Sequence, residues 1–352
     1  MNANPAHMFF CGSIPLEHEV DVFNALAEIG GERLRRVPDG ELGDRRMWVI
    51  GQYAVLAASP ALEFGPFPSD GLTRRTCYQI PPRLRAGKTA NDIVFNELGY
   101  ARHASSSYGL FREMKKAGKN PGALAASGQS ADPERRHAHD RGISQSRGGK
   151  GLPEGLARRA RRDPAADPAF RACDNLGRRA RRSDVGGPVE QIHHSIFTDP
   201  KNDFLHTLVE LGDAVVGDVE LGYHLCYGSQ DHKHALEPRD LTACVTISNA
   251  VAVQLGRRLD YVHMPVPRER SDDDYFKPLA QLDRKRIGEV YLGLVHYTDG
   301  LEGARRRISA AEKYLPEFGI AAECGFGRRP SHQDVVRLIK LHADIIDNAR
   351  TP

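Results

Sequence analysis

The chemistry of this chain concentrates in His224 and Cys226, within His224-Leu225-Cys226-Tyr227, and in Cys324, within Glu323-Cys324-Gly325. Strand residues two apart point the same way, so a His-x-Cys pair on extended chain offers both side chains to one face. A cysteine delivered by a distant segment adds a second soft sulfur, and imidazole with thiolates is the donor set that selects zinc. A free thiol is mostly protonated at neutral pH, with a pKa of about 8.5, whereas a metal-bound one is deprotonated outright. The expected chemistry is therefore activation of a sulfur nucleophile. Taken singly, each residue reads as a small buried hydrophobe or a core histidine.

Strands must deliver these side chains to one place. Residues 9–11 read as a strand ending in the Gly12-Ser13 turn, and 34–38 as a second strand whose end carries Asp39-Gly40-Glu41. Residues 215–221 read as a strand leading into His224, 261–264 as one holding His263, 290–294 as one followed by His296, and 320–323 as one ending at Cys324. Helical periodicity marks 20–29, 44–58, 92–117, 202–211, 241–257, 300–314 and 332–347. Such alternation predicts parallel β/α units. In folds of that kind the chemistry gathers beyond the carboxyl ends of the strands, and Ser13, Glu41, His224, Cys226, His263, His296 and Cys324 all fall there. Glu323 is a weaker candidate, because neighbours on a strand point to opposite faces.

In order and spacing, Gly12-Ser13-Ile14-Pro15, Pro38-Asp39-Gly40-Glu41 with Arg45, His224-Leu225-Cys226-Tyr227 and Cys324-Gly325-Phe326-Gly327-Arg328-Arg329 resemble the catalytic half of cobalamin-independent methionine synthase. The likeness covers 9–110 and 195–345, and it marks membership of the superfamily rather than identity with the enzyme. It implies an α/β fold, a (β/α)8 TIM barrel forming one domain over 1–352, in which Zn2+ activates a thiol for methyl transfer. It implies His224, Cys226 and Cys324 as zinc ligands. The family's remaining ligand is a glutamate, but the aligned position in the stretch from Asp260 to Glu269 is not acidic, and His263 is the natural substitute. Ser13 resembles the serine that contacts the amino-acid substrate, and Glu41 the glutamate that pairs with its ammonium group. The family's Asp-x-His proton donor is altered here to His296 and Thr298, leaving His296 as the candidate general acid or base. The implied partners are a small-molecule thiol and a methyl donor such as a folate. A decarboxylase of the uroporphyrinogen type would share the barrel without needing metal, so stoichiometric zinc separates the two readings.

Composition sets the outer bounds. With 352 residues, 40% hydrophobic and 27% charged, the chain suits one large barrel or two ordinary domains. No apolar run approaches the ~20 residues needed to span a bilayer, and the start lacks a basic stretch followed by an apolar one, so a cytoplasmic protein without membrane partners is expected. Six scattered cysteines suit reduced thiols and metal ligation better than a disulfide framework.

The net charge of +3 is unevenly spread, since residues 121–188 hold 14 Lys+Arg against 8 Asp+Glu. That window contains Leu124, Ile143, Leu152, Leu156, Phe170, Leu176 and Val185 as its only large apolar residues, too few to cover a strand interior and a helix face. The barrel is therefore expected to be interrupted, by disorder or disruption, over about 121–192. The stretch from about 137 to 179 reads as out of frame: codons compatible with it, taken one nucleotide later, can spell an uninterrupted helix-then-strand sequence. A non-catalytic product of a frame-shifted gene is one outcome of that reading. The competing one is an Arg-rich insertion that contacts RNA through pairs such as Arg158-Arg159 and Arg181-Arg182. A lone Phe170 gives no stacking platform, which argues against nucleic acid as the partner.

Overall fold

The computed structural model describes residues 5, 7–47, 54–65, 83–89, 92–94, 99–117, 125–126, 200–215, 219–227, 234, 237–327 and 331–350. The segment expected to interrupt the barrel lies almost wholly outside these residues. Only the two-residue strand β5 (Ala125–Ala126) falls within it.

Five parallel strands form the central sheet, in the order β1 (Met8–Phe9), β9 (Gly319–Ala321), β8 (Ile287–Gly293), β7 (Leu259–Pro265), β6 (Gly222–His224). Parallel bridges from Met8 to Leu34 and from Ser13 to Gly40 set β2 (Arg36–Val37) against the free side of β1, and β2 pairs in turn with β5. A short antiparallel hairpin, β3 (Leu62–Glu63) with β4 (Arg83–Leu84), stands apart. The helices are α1 (Glu19–Ala25), α2 (Tyr100–Lys116), α3 (Pro200–Asp213), α4 (Thr242–Gln254), α5 (Asp273–Phe276), α6 (Gly300–Ala311) and α7 (His332–Arg350). The chain is thus α/β with a parallel sheet, as its alternation predicts. Among the described residues no helix is long and apolar enough to cross a membrane.

Side-chain alternation gives each strand two environments. Met8, Phe10, Val37, Leu225, Val262, Met264, Val290, Leu292 and Ile320 face one way and join the main core. That core includes Val335, Leu338, Ile339, Ile345 and Ile346, the apolar stripe of α7. The residues between them face the other way: Phe9, Tyr261, Tyr291 and Ala321 form a separate small cluster with Cys11 packed against it.

This second face is the inside of a curl. Arg36, on β2, hydrogen-bonds Glu220 just before β6 at 2.6 and 2.8 Å, reaches Glu289 on β8 at 2.6 Å, and lies 4.4 Å from the ring centre of Tyr261 on β7. In a flat sheet β2 and β6 would stand five strand spacings apart, roughly 24 Å at about 4.8 Å each. No arginine spans that, so the sheet wraps its inner face around these side chains. Phe9 on β1 makes the same point by meeting His263 on β7 with ring centres 5.3 Å apart. The described residues leave the wall between β5 and β6 open, so closure into a complete barrel is not among the features they show.

Most boundaries shift by a few residues, and the helix expected over 92–117 is Tyr100–Lys116; two shifts bear on the site. The strand expected over 215–221 is instead Gly222–His224: α3 runs on to Asp213, a turn and bend follow at 214–215, and 216–218 lie outside the described residues. The strand expected to run to Glu323 ends at Ala321, where Val295 N–H bonds the Ala321 carbonyl and the chain bends.

Candidate metal centre

The site is assembled where inward-facing positions run off the strand ends. Parallel pairing sets His224 of β6 directly beside His263 of β7. Leu225 N–H then bonds the His263 carbonyl at 2.9 Å, continuing the pairing past the strand end so that Cys226 turns inward while Leu225 joins the core. Cys324 arrives on the bend after β9. Donor atoms of His224, Cys226 and Cys324 all lie within 4.8 Å of one another. A second group, Cys11, His224 and His263, satisfies the same condition. His224 is common to both.

The two imidazoles are stacked, ring centres 4.7 Å apart, with their Nδ1 atoms 2.8 Å from each other. One must donate and the other accept, so they cannot both carry a full complement of protons. Burial works against charge on His224, but the Cys11 and Cys324 sulfurs beside it outweigh burial and hold its pKa well above the ordinary imidazole range. His263 is wholly buried; burial, then the charge on His224, pushes it well below that range. Nε2 of each ring is buried and lacks a well-oriented hydrogen-bond partner. His224, with the Cys11 and Cys324 sulfurs against its ring, is a donor in the setting of a metal ligand, whereas His263 has the Ala322 backbone beside it. The donor set therefore fits Zn2+.

Ser13 and Glu41 form the adjoining wall. Ser13 Oγ donates to Glu41 Oε2 at 2.5 Å, and burial, partly offset by that bond, raises the Glu41 pKa. Glu41 has φ 47°, rare for a residue with a side chain. Its amide donates to Asp39 Oδ1 at 3.0 Å, while Asp39 is held by Arg45 at 2.5 Å and Ser107 at 2.9 Å. Gly12 has φ +59°, and a Cβ there would stand 2.8 Å from Glu41 Oε2, so the glycine makes room for the carboxylate.

His296 occupies the opposite edge. Its Nε2 donates to the Val266 carbonyl at 2.9 Å, and burial with nearby Arg307 lowers its pKa to about 3. It is neutral at physiological pH and presents Nδ1 as an acceptor, 3.8 Å from Glu323 Oε2. Glu323 also takes a 3.0 Å contact from His234 Nε2, and His234 Nδ1 meets Glu237 at 3.0 Å. Burial opposes charge on His234, but Glu323 and Glu237 prevail and raise its pKa to about 9.

The structure thus brings His224, Cys226 and Cys324 into one donor group and places His263 in the other, sharing His224. Ser13 and Glu41 sit together beside them, and His296 belongs to neither donor group. Glu323, the weaker ligand candidate, belongs to neither donor group; its carboxylate meets His234 and lies 3.8 Å from His296. Cys11 and His234 were not singled out from the sequence. Cys11 could have been found by continuing the inward alternation from Phe9; His234 lies in a loop with no periodic signal.

No family model and no curated protein matches the chain. Among solved structures it is similar to a Listeria monocytogenes protein carrying the provisional name of vitamin-B12-independent methionine synthase, at 12% identity, with 98% of this chain and 99% of that chain covered and a TM-score of 0.44. Likeness at that level leaves function to be argued from the site.

Proposed function

We propose that this chain is a zinc-dependent transferase that moves a methyl, or other alkyl, group onto a small-molecule thiol, on a (β/α)8 barrel to which the curled sheet belongs. The observation that carries the reading is the convergence of His224, Cys226 and Cys324, donor atoms within 4.8 Å of one another, at the carboxyl ends of parallel strands. Zn2+, when bound, supplies a deprotonated thiol nucleophile at neutral pH.

The chain's own residues do the rest. His224 and the two sulfurs hold the ion, and the layer of Phe9, Tyr261 and Tyr291 beneath them keeps water out of the floor. Glu41 receives a cationic group of the substrate, and its bond from Ser13 fixes the carboxylate before the substrate arrives. His296, neutral and anchored through Nε2, accepts a proton or hydrogen bond at Nδ1. The sequence motifs shared with cobalamin-independent methionine synthase support the choice of a methyl group and a thiol.

The test is direct. Zinc-loaded protein is incubated with homocysteine and either 5-methyltetrahydrofolate or a synthetic methyl donor, and the S-methyl product is followed by mass spectrometry. Product that requires zinc and disappears with Cys324→Ser is expected. A rate equal to that of zinc-free protein with both donors would overturn the proposal.

A further inference from the structure

We propose that Cys11 is itself a metal ligand, the donor from strand β1 that completes a shell of His224, Cys226, Cys324 and Cys11. The inference rests on the metal-centre reading above and deepens it.

Cys11 points to the inside of the curl, packed against Phe9, Tyr261, Tyr291 and Ala321. Its sulfur lies within 4.8 Å of donor atoms on His224 and His263, and in the other group His224 lies within 4.8 Å of Cys226 and Cys324. His224 is the member common to both groups, so it is the donor through which Cys11 can join Cys226 and Cys324 around one ion. Tetrahedral zinc with Zn–S of about 2.3 Å would hold two sulfurs about 3.8 Å apart, so Cys11, which stands in a separate group from Cys226 and Cys324, must move toward them to close the shell.

The backbone is built to keep Cys11 there. A Cβ on Gly325 would stand 2.7 Å from the Cys11 carbonyl and 2.9 Å from the Ser13 amide, so the loop after β9 lies directly on the loop after β1. Phe326 N–H bonds the Ser13 carbonyl at 2.6 Å and stitches the two together. This contact, beside β1–β9 pairing, delivers Cys11 and Cys324 to one place from opposite ends of the sequence. His263, wholly buried and hydrogen-bonded to His224 through Nδ1, then serves as the positioning partner that orients His224. With four protein donors present, an incoming thiol must expand the shell or exchange with one of them.

Two measurements on the full chain test the assignment. In the cobalt(II)-loaded protein, Cys11→Ser is expected to lower the thiolate-to-cobalt charge-transfer absorption by about one third, as three sulfur ligands become two. In the wild-type protein, which removes any concern over folding of the variant, zinc is expected to protect Cys11 from iodoacetamide along with Cys226 and Cys324. Labelling of Cys244, outside the cluster, should not respond to zinc. If metal binds but Cys11 is alkylated as fast as before and the absorption of its variant is undiminished, Cys11 is no ligand and the three-donor centre stands. If neither zinc nor cobalt binds the wild-type protein, both readings fall.

Discussion

At the residue scale, Glu41 gathers most of the unusual features: a left-handed backbone, a 2.5 Å bond from Ser13, and a close glycine neighbour. Strain of this kind persists where surrounding contacts hold it, and it collects at functional sites. Glu41→Gln keeps the shape and removes the charge, so it is expected to raise KM for a cationic thiol substrate about 10- to 100-fold, the value of one charge-assisted bond. Zinc content should be unchanged; loss of metal would mean that Glu41 serves the ion instead. Gly12→Ala should lower substrate affinity similarly, because its Cβ would collide with the Glu41 carboxylate, and substrate titration of the two variants checks this. The His224, Cys226 and Cys324 trio was legible because two of them share a short motif and the third sits in a glycine-rich one. Cys11 carried only the alternation that continues inward from Phe9; its relation to Cys324 exists only once β1 and β9 pair, 312 residues apart as Met8 and Ile320.

At the element scale, the inner face of the strands is where sequence and structure part most. A half-buried strand advertises itself by alternation of polar and apolar residues. Here β7 (Leu259–Pro265) and β8 (Ile287–Gly293) are buried on both sides, and Tyr261, His263 and Tyr291 line the inside. The strands were therefore readable as apolar runs, but not which face was inner. Arg36 shows the consequence. It is 4% exposed and holds Glu289, whose pKa falls to about 2: burial opposes this, but bonds from Tyr291, Arg36 and Arg35 prevail. A carboxylate depressed by folding adds stability that is fully present above its unfolded pKa of about 4.5 and is lost as pH falls toward about 2. Wild-type stability should therefore drop by roughly 1–3 kcal/mol over that window from this group, and Glu289→Gln should flatten that part of the acid-unfolding curve. A curve of unchanged slope would remove Glu289 from the account. Gly325→Ala belongs to this scale too. Wedging the β1 and β9 loops apart should weaken zinc affinity, measured by chelator competition, with little change in secondary structure by circular dichroism.

At the scale of the whole molecule, the parallel sheet and its curl bring Cys11, His224, Cys226, His263 and Cys324 into two donor groups that share His224, with Ser13 and Glu41 beside them. Strand–helix alternation made the α/β class legible from the sequence. Closure into a full barrel depends on residues between β5 and β6, and the low apolar content of 121–188 is why that stretch was set apart in the sequence. The proposed ligands, with Cys11 included, come from three widely separated segments, so an ion bound there would tie the sheet together. Zinc at about 100 times its dissociation constant should add roughly 2.7 kcal/mol of stability, seen as a rise of several degrees in Tm that a chelator reverses. The most direct test of the central claim is the zinc content of the purified, zinc-reconstituted chain by elemental analysis. About one tightly held zinc per chain is predicted, with Cys226→Ser and Cys324→Ser each releasing it to a chelator that the wild type resists. A metal-free wild type, or both variants retaining zinc as the wild type does, would contradict the account.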